Sequence, residues 1–130
     1  MAQLRSVSDL TSFETGDAGH PASITGLVDW VAAAHGGIDI LVSVGLPHDI
    51  GLTPFAEMEL GEPKRAFDSR IYPRIFPVRA TVPALHERGG SVVMLATDAA
   101  RHPTPSESVM GAVGAAVILM TKVLAREFSR

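Results

Sequence analysis

The stretch that most limits what this chain can become is Gly90-Ser91-Val92-Val93-Met94-Leu95-Ala96-Thr97-Asp98-Ala99-Ala100. A short Val-rich apolar run between a Gly pair and polar turn residues reads as a strand buried on both faces. It is followed by the Pro-rich loop Ala99–Pro105 and then a long apolar segment with helical character. A strand–loop–helix order of this kind belongs to α/β folds, where ligands sit past the carboxyl ends of the strands. Thr97, Asp98, Arg101 and His102 stand at that place.

Upstream, the same grammar repeats. Pro21 suits the first turn of a helix over Ala22–His35, whose Ile24, Leu27, Val28 and Val31 fall on one face. Trp30 lies outside that stripe and is expected to pack on a loop, and Gly36-Gly37 ends the helix. Ile38–Val44 reads as a second buried parallel strand, and the loop Gly45–Thr53 carries His48 and Asp49. A long helix is expected from Met58 or Pro63 to Arg88, its stripe being Ala66, Phe67, Ile71, Ile75, Val78, Val82 and Leu85. Pro73 and Pro77 inside it remove two backbone donors, so a kink or break is expected there. Ser106 and Glu107 open a last helix with a surface of small residues, Gly111, Gly114 and Ala115, that would suit a partner subunit's helix. Residues 1–16 are compatible with a short helix or a strand. Two strands are too few for an independent sheet, so further strands are expected from residues 1–16, from another chain or from a longer protein.

Composition narrows the function. A single α/β domain over residues 1–130 fits the length, and 46% hydrophobic against 19% charged residues indicates a globular chain. A net charge of −3 offers no basic footprint for nucleic acid, and the absence of cysteine excludes disulfides and thiolate metal sites. The apolar stretch Val109–Val123 is interrupted by Lys122, so no membrane span is expected, and Met1–Gly16 does not read as a signal peptide. A cytoplasmic protein is the expectation.

Several pieces resemble the short-chain dehydrogenase/reductase superfamily. Gly37–Val42 resembles the strand leading into its Asn-Asn-Ala-Gly motif. Pro54–Met58 with Ala66-Phe67-Asp68 resembles the next helix, and Val82–Leu85 its end. Gly89–Val93 resembles the strand that carries the catalytic serine, and Thr121–Glu127 the end of the helix bearing Tyr-x-x-x-Lys. The likeness covers residues 17–128. It implies a Rossmann-like parallel sheet with flanking helices, incomplete relative to the family: the N-terminal βαβ unit and the C-terminal strands are missing. In the likeness, the family's serine falls on Thr97, its tyrosine on Met110, its lysine on Gly114 and its helix asparagine on Arg70, while Ser43–Leu46 takes the place of Asn-Asn-Ala-Gly. The family's lysine lowers the tyrosine's pKa so that it can pass a proton, which neither methionine nor glycine can replace. The halohydrin dehalogenases, similar in fold and lacking nicotinamide, also carry a proline where Pro73 stands, but need a Tyr and an Arg where Met110 and Gly114 are.

These residues lead to a divergent member without the Ser-Tyr-Lys set, acting as a non-redox structural or binding subunit, with no cofactor and no metal. One alternative is a repurposed enzyme doing acid/base chemistry of isomerase, dehydratase or dehalogenase type, with His48 and Asp98 as the pair and Thr97 and Arg70 in support. The other is a fragment of an NAD(P)-dependent oxidoreductase. No triad or metal spacing is satisfied, which favours plain solvated loops, with Arg70 paired to Asp68 or Asp98 and with Arg74 and Arg79 on a solvated helix face. The expected partners are a small molecule at the strand ends and a second copy docked through helices 63–88 and 106–128.

Overall fold

The computed structural model describes residues 11–45 and 52–129. Helix α1 (Pro21–His35) leads to strand β1 (Ile40–Ser43), helix α2 (Glu62–Arg88), strand β2 (Ser91–Met94) and helix α3 (Ser108–Phe128). Short 3₁₀ turns at Phe55–Glu57 and Asp98–Ala100 punctuate the loops. Residues 11–17 form no regular element. Pro21 does open α1, and Gly36 closes it in the left-handed region at φ 74°, where a side chain would be strained. The ring of Trp30 packs edge-on to His35 of the same helix, centroids 6.4 Å apart.

β1 and β2 pair in parallel, Ile40 opposite Ser91 through Ser43 opposite Met94, making a two-stranded sheet among the described residues. α2 is the crossover and packs on both strands, while α1 and α3 pack against α2. The core lies between α2 and α3: Ile71, Val113 and Val117 are buried, with Ile75, Met94, Val109 and Ala116 against them.

The structure corrects the expectation that the strands are buried on both faces. Leu41, Ser43, Val92 and Met94 turn toward the helices, while Ile40, 66% exposed, and Val42, 54% exposed, share the opposite face with Val93. The period-2 alternation of a strand makes that split inevitable when helices cover one side only.

α2 runs without a break through Pro73, Pro77 and Pro83. Proline at 77 removes the donor for the Pro73 carbonyl, and Gly45 sits against that carbonyl, so a Cβ there would lie 3.1 Å from it. The buried face of α2 also differs from the hydrophobic stripe. Phe67 is 37% exposed, whereas Arg70 and Arg74, 3% and 7% exposed, are buried beside Ala66, Ile71, Val78 and Thr81. Arg79 is exposed as expected.

α3 begins at Ser108, with Ser106 held at a positive φ of 65° just before it. By length and a hydropathy of 1.9 it is apolar enough to cross a membrane, but here it buries Val113, Gly114 and Val117 against its own chain. Of the small residues expected to meet a partner, Gly111 and Gly114 are used internally, while Ala115 is exposed. A Cβ on Gly111 would lie 2.7 Å from the Ala99 carbonyl, and one on Gly114 would lie 2.7 Å from Thr97 Cγ2 and 2.9 Å from Ala100 Cβ. Small residues allow the turn at 97–100 to lie directly on the helix.

Candidate functional site

The carboxyl ends of both strands converge on one turn of α2. The Leu95 amide donates to the Ser43 carbonyl at 3.1 Å, carrying the ladder one residue past β2. Beneath it, the Ser43 hydroxyl donates to the Arg74 carbonyl at 2.9 Å, tying the end of β1 to α2. Arg74 Nε returns a hydrogen bond to the Leu95 carbonyl at 3.3 Å, and Nη1 donates to the Arg70 carbonyl. Arg70 Nη1 in turn donates to the Ala66 carbonyl at 3.2 Å. Two guanidinium groups one helical turn apart are thus held below the strand ends. Burial, and then the neighbouring Arg70 charge, lower the Arg74 pKa from the ordinary arginine value.

Thr97 serves the backbone. Its Oγ1 accepts from the Ala99 amide at 3.3 Å and caps the 3₁₀ turn, which then carries the first turns of α3. Asp98 and His102 lie together at 3.6 Å, but at 86% and 70% side-chain exposure water competes for both. Beside them an open groove of about 620 Å³ runs between Pro103, Pro105 and α3. Tyr72, two residues from each buried arginine, stacks on Phe76 with centroids 5.0 Å apart on the other side of α2.

Of the residues the sequence singles out, the structure brings Arg70 and Thr97 to the strand-end region and leaves Asp98, Arg101 and His102 on its exposed rim. His48 and Asp49 lie outside the described residues, and with them the His48–Asp98 pairing. Asp68 holds Lys64, and Asp98 faces His102. The sequence reading missed Ser43 and Arg74. The spacing 66-70-74-78 was the available signal, an i, i+4 row that reads as buried once the charges are disregarded.

A family model described as enoyl-(acyl carrier protein) reductase matches residues 2–130. The chain belongs to the short-chain dehydrogenase/reductase superfamily. Solved superfamily structures agree in fold. A short-chain dehydrogenase from Streptomyces avermitilis matches at TM-score 0.83 and 24% identity, over 98% of this chain and 47% of its own. A short-chain dehydrogenase/reductase from Saccharomyces cerevisiae matches at 0.83 and 24%, over 97% and 50%. One from Mycobacterium marinum matches at 0.77 and 24%, over 88% and 47%. The chain spans about half the length of these structures. No curated protein matches it. The two-stranded sheet with its three helices is accordingly a truncated Rossmann-like short-chain dehydrogenase/reductase fold.

Proposed function

We propose that this chain is a short-chain dehydrogenase/reductase subunit that binds a small molecule at its strand ends without carrying out nicotinamide-dependent hydride transfer. The observation that supports this reading is the packing at Gly114. The superfamily's lysine position is a glycine whose outward direction is filled by the Thr97 methyl group and Ala100 Cβ. Met110, at the tyrosine position, has no proton to give. Without an acidic hydroxyl and a cation to lower its pKa, a carbonyl or enoyl substrate has no proton donor of the superfamily's kind.

The nicotinamide cofactor that the superfamily implies does not fit the residues described. The start of α1 offers no glycine-rich cradle, and two amides ahead of it are taken by the chain's own side chains. Asp17 Oδ1 accepts from the Gly19 amide at 2.8 Å, and Ser23 Oγ accepts from the Asp17 amide at 2.8 Å. Fluorescence titration of the chain with NADH and NADPH tests this. The expected result is no saturable signal, and micromolar binding or oxidation of NADPH with ketone or enoyl-thioester substrates would overturn it.

Self-association through the outer faces of α2 and α3 belongs to the same proposal, as does a cytosolic setting. Ala112, Ala115, Leu119 and Val123 line the exposed side of α3, spaced so as to share one face.

A further inference from the structure

We infer that the free edge of β2 takes up an extended segment of a partner polypeptide as a third strand, whose apolar side chains enter the groove between α2 and α3. The inference goes beyond the proposed function, which concerns the carboxyl ends of the strands, and does not depend on it.

The backbone of β2 shows where a strand would add. In a parallel ladder, residues alternate: one turns both backbone groups to its neighbour and the next turns both away. The Ser91 amide donates to the Asp39 carbonyl at 3.0 Å and the Leu95 amide to the Ser43 carbonyl at 3.1 Å, so residues 91, 93 and 95 face β1. The N–H and C=O groups of Val92 and Met94 therefore point to the other edge, where nothing among the described residues bonds them. A row of unpaired donors and acceptors along a sheet edge is a template for another strand.

Space lies beside that edge. A cavity of about 630 Å³ is floored by Val92 and Met94 and walled by Val82 and Leu85 of α2 and by Leu124 and Phe128 of α3. Phe128 is exposed and the other five are only half-buried, so an apolar wall ends on open space. The groove is open at Gly89, where nothing stands within 4 Å of a Cβ position. It narrows toward the end of β2, where Thr121 Oγ1 donates to Met94 Sδ at 3.5 Å. An apolar small molecule would fill the cavity but leave the four backbone groups unpaired, at a cost wherever water is displaced. A strand answers both features at once. Its backbone pairs with Val92 and Met94, and every second side chain enters the cavity. The side chains between them fall beside Val93 and Leu95 on the open face of the sheet, where polar groups stay in water. The partner segment is thus extended and alternates apolar with polar residues.

The probe is a synthetic peptide, Lys-Val-Thr-Val-Thr-Val-Lys with blocked ends, about as long as an ordinary strand. It is titrated into the full chain while amide hydrogen exchange and the thermal midpoint are followed. The expected result is a saturable rise in midpoint, as for any ligand of the native state, with exchange slowed at the Val92 and Met94 amides. The same peptide N-methylated throughout keeps its side chains but loses every donor, and should bind at least about tenfold more weakly. Val92→Pro removes a donor that faces the free edge without touching the ladder to β1, and should weaken binding of the parent peptide by about tenfold. Val42→Lys, on the open face of β1, should leave it unchanged. Methylated peptide that binds as tightly as the parent, or binding unaltered by Val92→Pro, would show a groove open to apolar molecules in general and would overturn the inference. The absence of saturable binding would overturn it too. So would protection of the Val92 and Met94 amides that needs no peptide and rises with protein concentration, the mark of a second copy on the edge. Should Val92→Pro fail to fold, the methylated peptide on the unmutated chain decides.

Discussion

Replacing Gly114 with alanine isolates the contact on which the strand-end region is built. Alanine in place of a helical glycine ordinarily stabilises by about 1 kcal/mol. Here the new methyl group would lie 2.7 Å from Thr97 Cγ2 and 2.9 Å from Ala100 Cβ, both far inside contact distance. Neither neighbour yields easily. Thr97 is β-branched and its hydroxyl is engaged by the Ala99 amide, while Ala100 Cβ is fixed by the backbone of the turn. Overpacking of this kind costs about 3 kcal/mol at the upper end. Against the gain of about 1 kcal/mol in propensity, the net destabilisation is about 2 kcal/mol. Urea unfolding reads this as a fall of about 1 M in midpoint. Gly26→Ala on α1, where nothing stands within 4 Å, is the control and should stabilise by up to about 1 kcal/mol. Thr97→Ser removes the methyl group that makes the closer contact. In the Gly114→Ala background it should recover about 1 kcal/mol, measured as coupling in a double-mutant cycle. A Gly114→Ala chain as stable as the original, or a cycle without coupling, would refute the reasoning. The outcome also separates an internal role for Gly114 from one at a subunit interface, since only the internal role lowers the midpoint independently of protein concentration.

Leu119→Arg on the exposed side of α3 should dissociate any assembly through that face while leaving the unfolding midpoint of the monomer within about 0.5 kcal/mol, as sedimentation and urea titration would show. Arg88→Ala removes a hydrogen bond to the Gly36 carbonyl and an ion pair with Asp39 at 3.8 Å, and should cost about 1 kcal/mol because both partners are half exposed or more. Amide exchange should accelerate at the end of α1 in that variant, and unchanged exchange would count against the clamp. Val42→Lys on the uncovered sheet face should change stability by about 0.5 kcal/mol or less, whereas Val113→Ala in the core should cost about 2 kcal/mol, both read by urea unfolding.

Local signals in the sequence carried the element order. Pro21 and Gly36 bracket α1 because one tolerates a missing donor at a helix start and the other tolerates φ 74° at its end. The two Val- and Ile-rich runs became β1 and β2, and the resemblance to the superfamily, carried by pieces such as Gly89–Val93 and Thr121–Glu127, agrees with the family match over residues 2–130. Burial, by contrast, depends on what lies opposite a residue, and no single segment encodes that. Periodicity marks Phe67 as core and leaves Arg74 on the surface, yet Arg74 turns inward to the Leu95 carbonyl while Phe67 stays 37% exposed. Gly111 and Gly114 announce a close approach in the sequence, but only the fold shows that the approaching group is the chain's own turn at 97–100 and not a partner's helix. The face of the sheet that stays open was equally invisible, because an apolar strand reads the same whether helices cover one side of it or two.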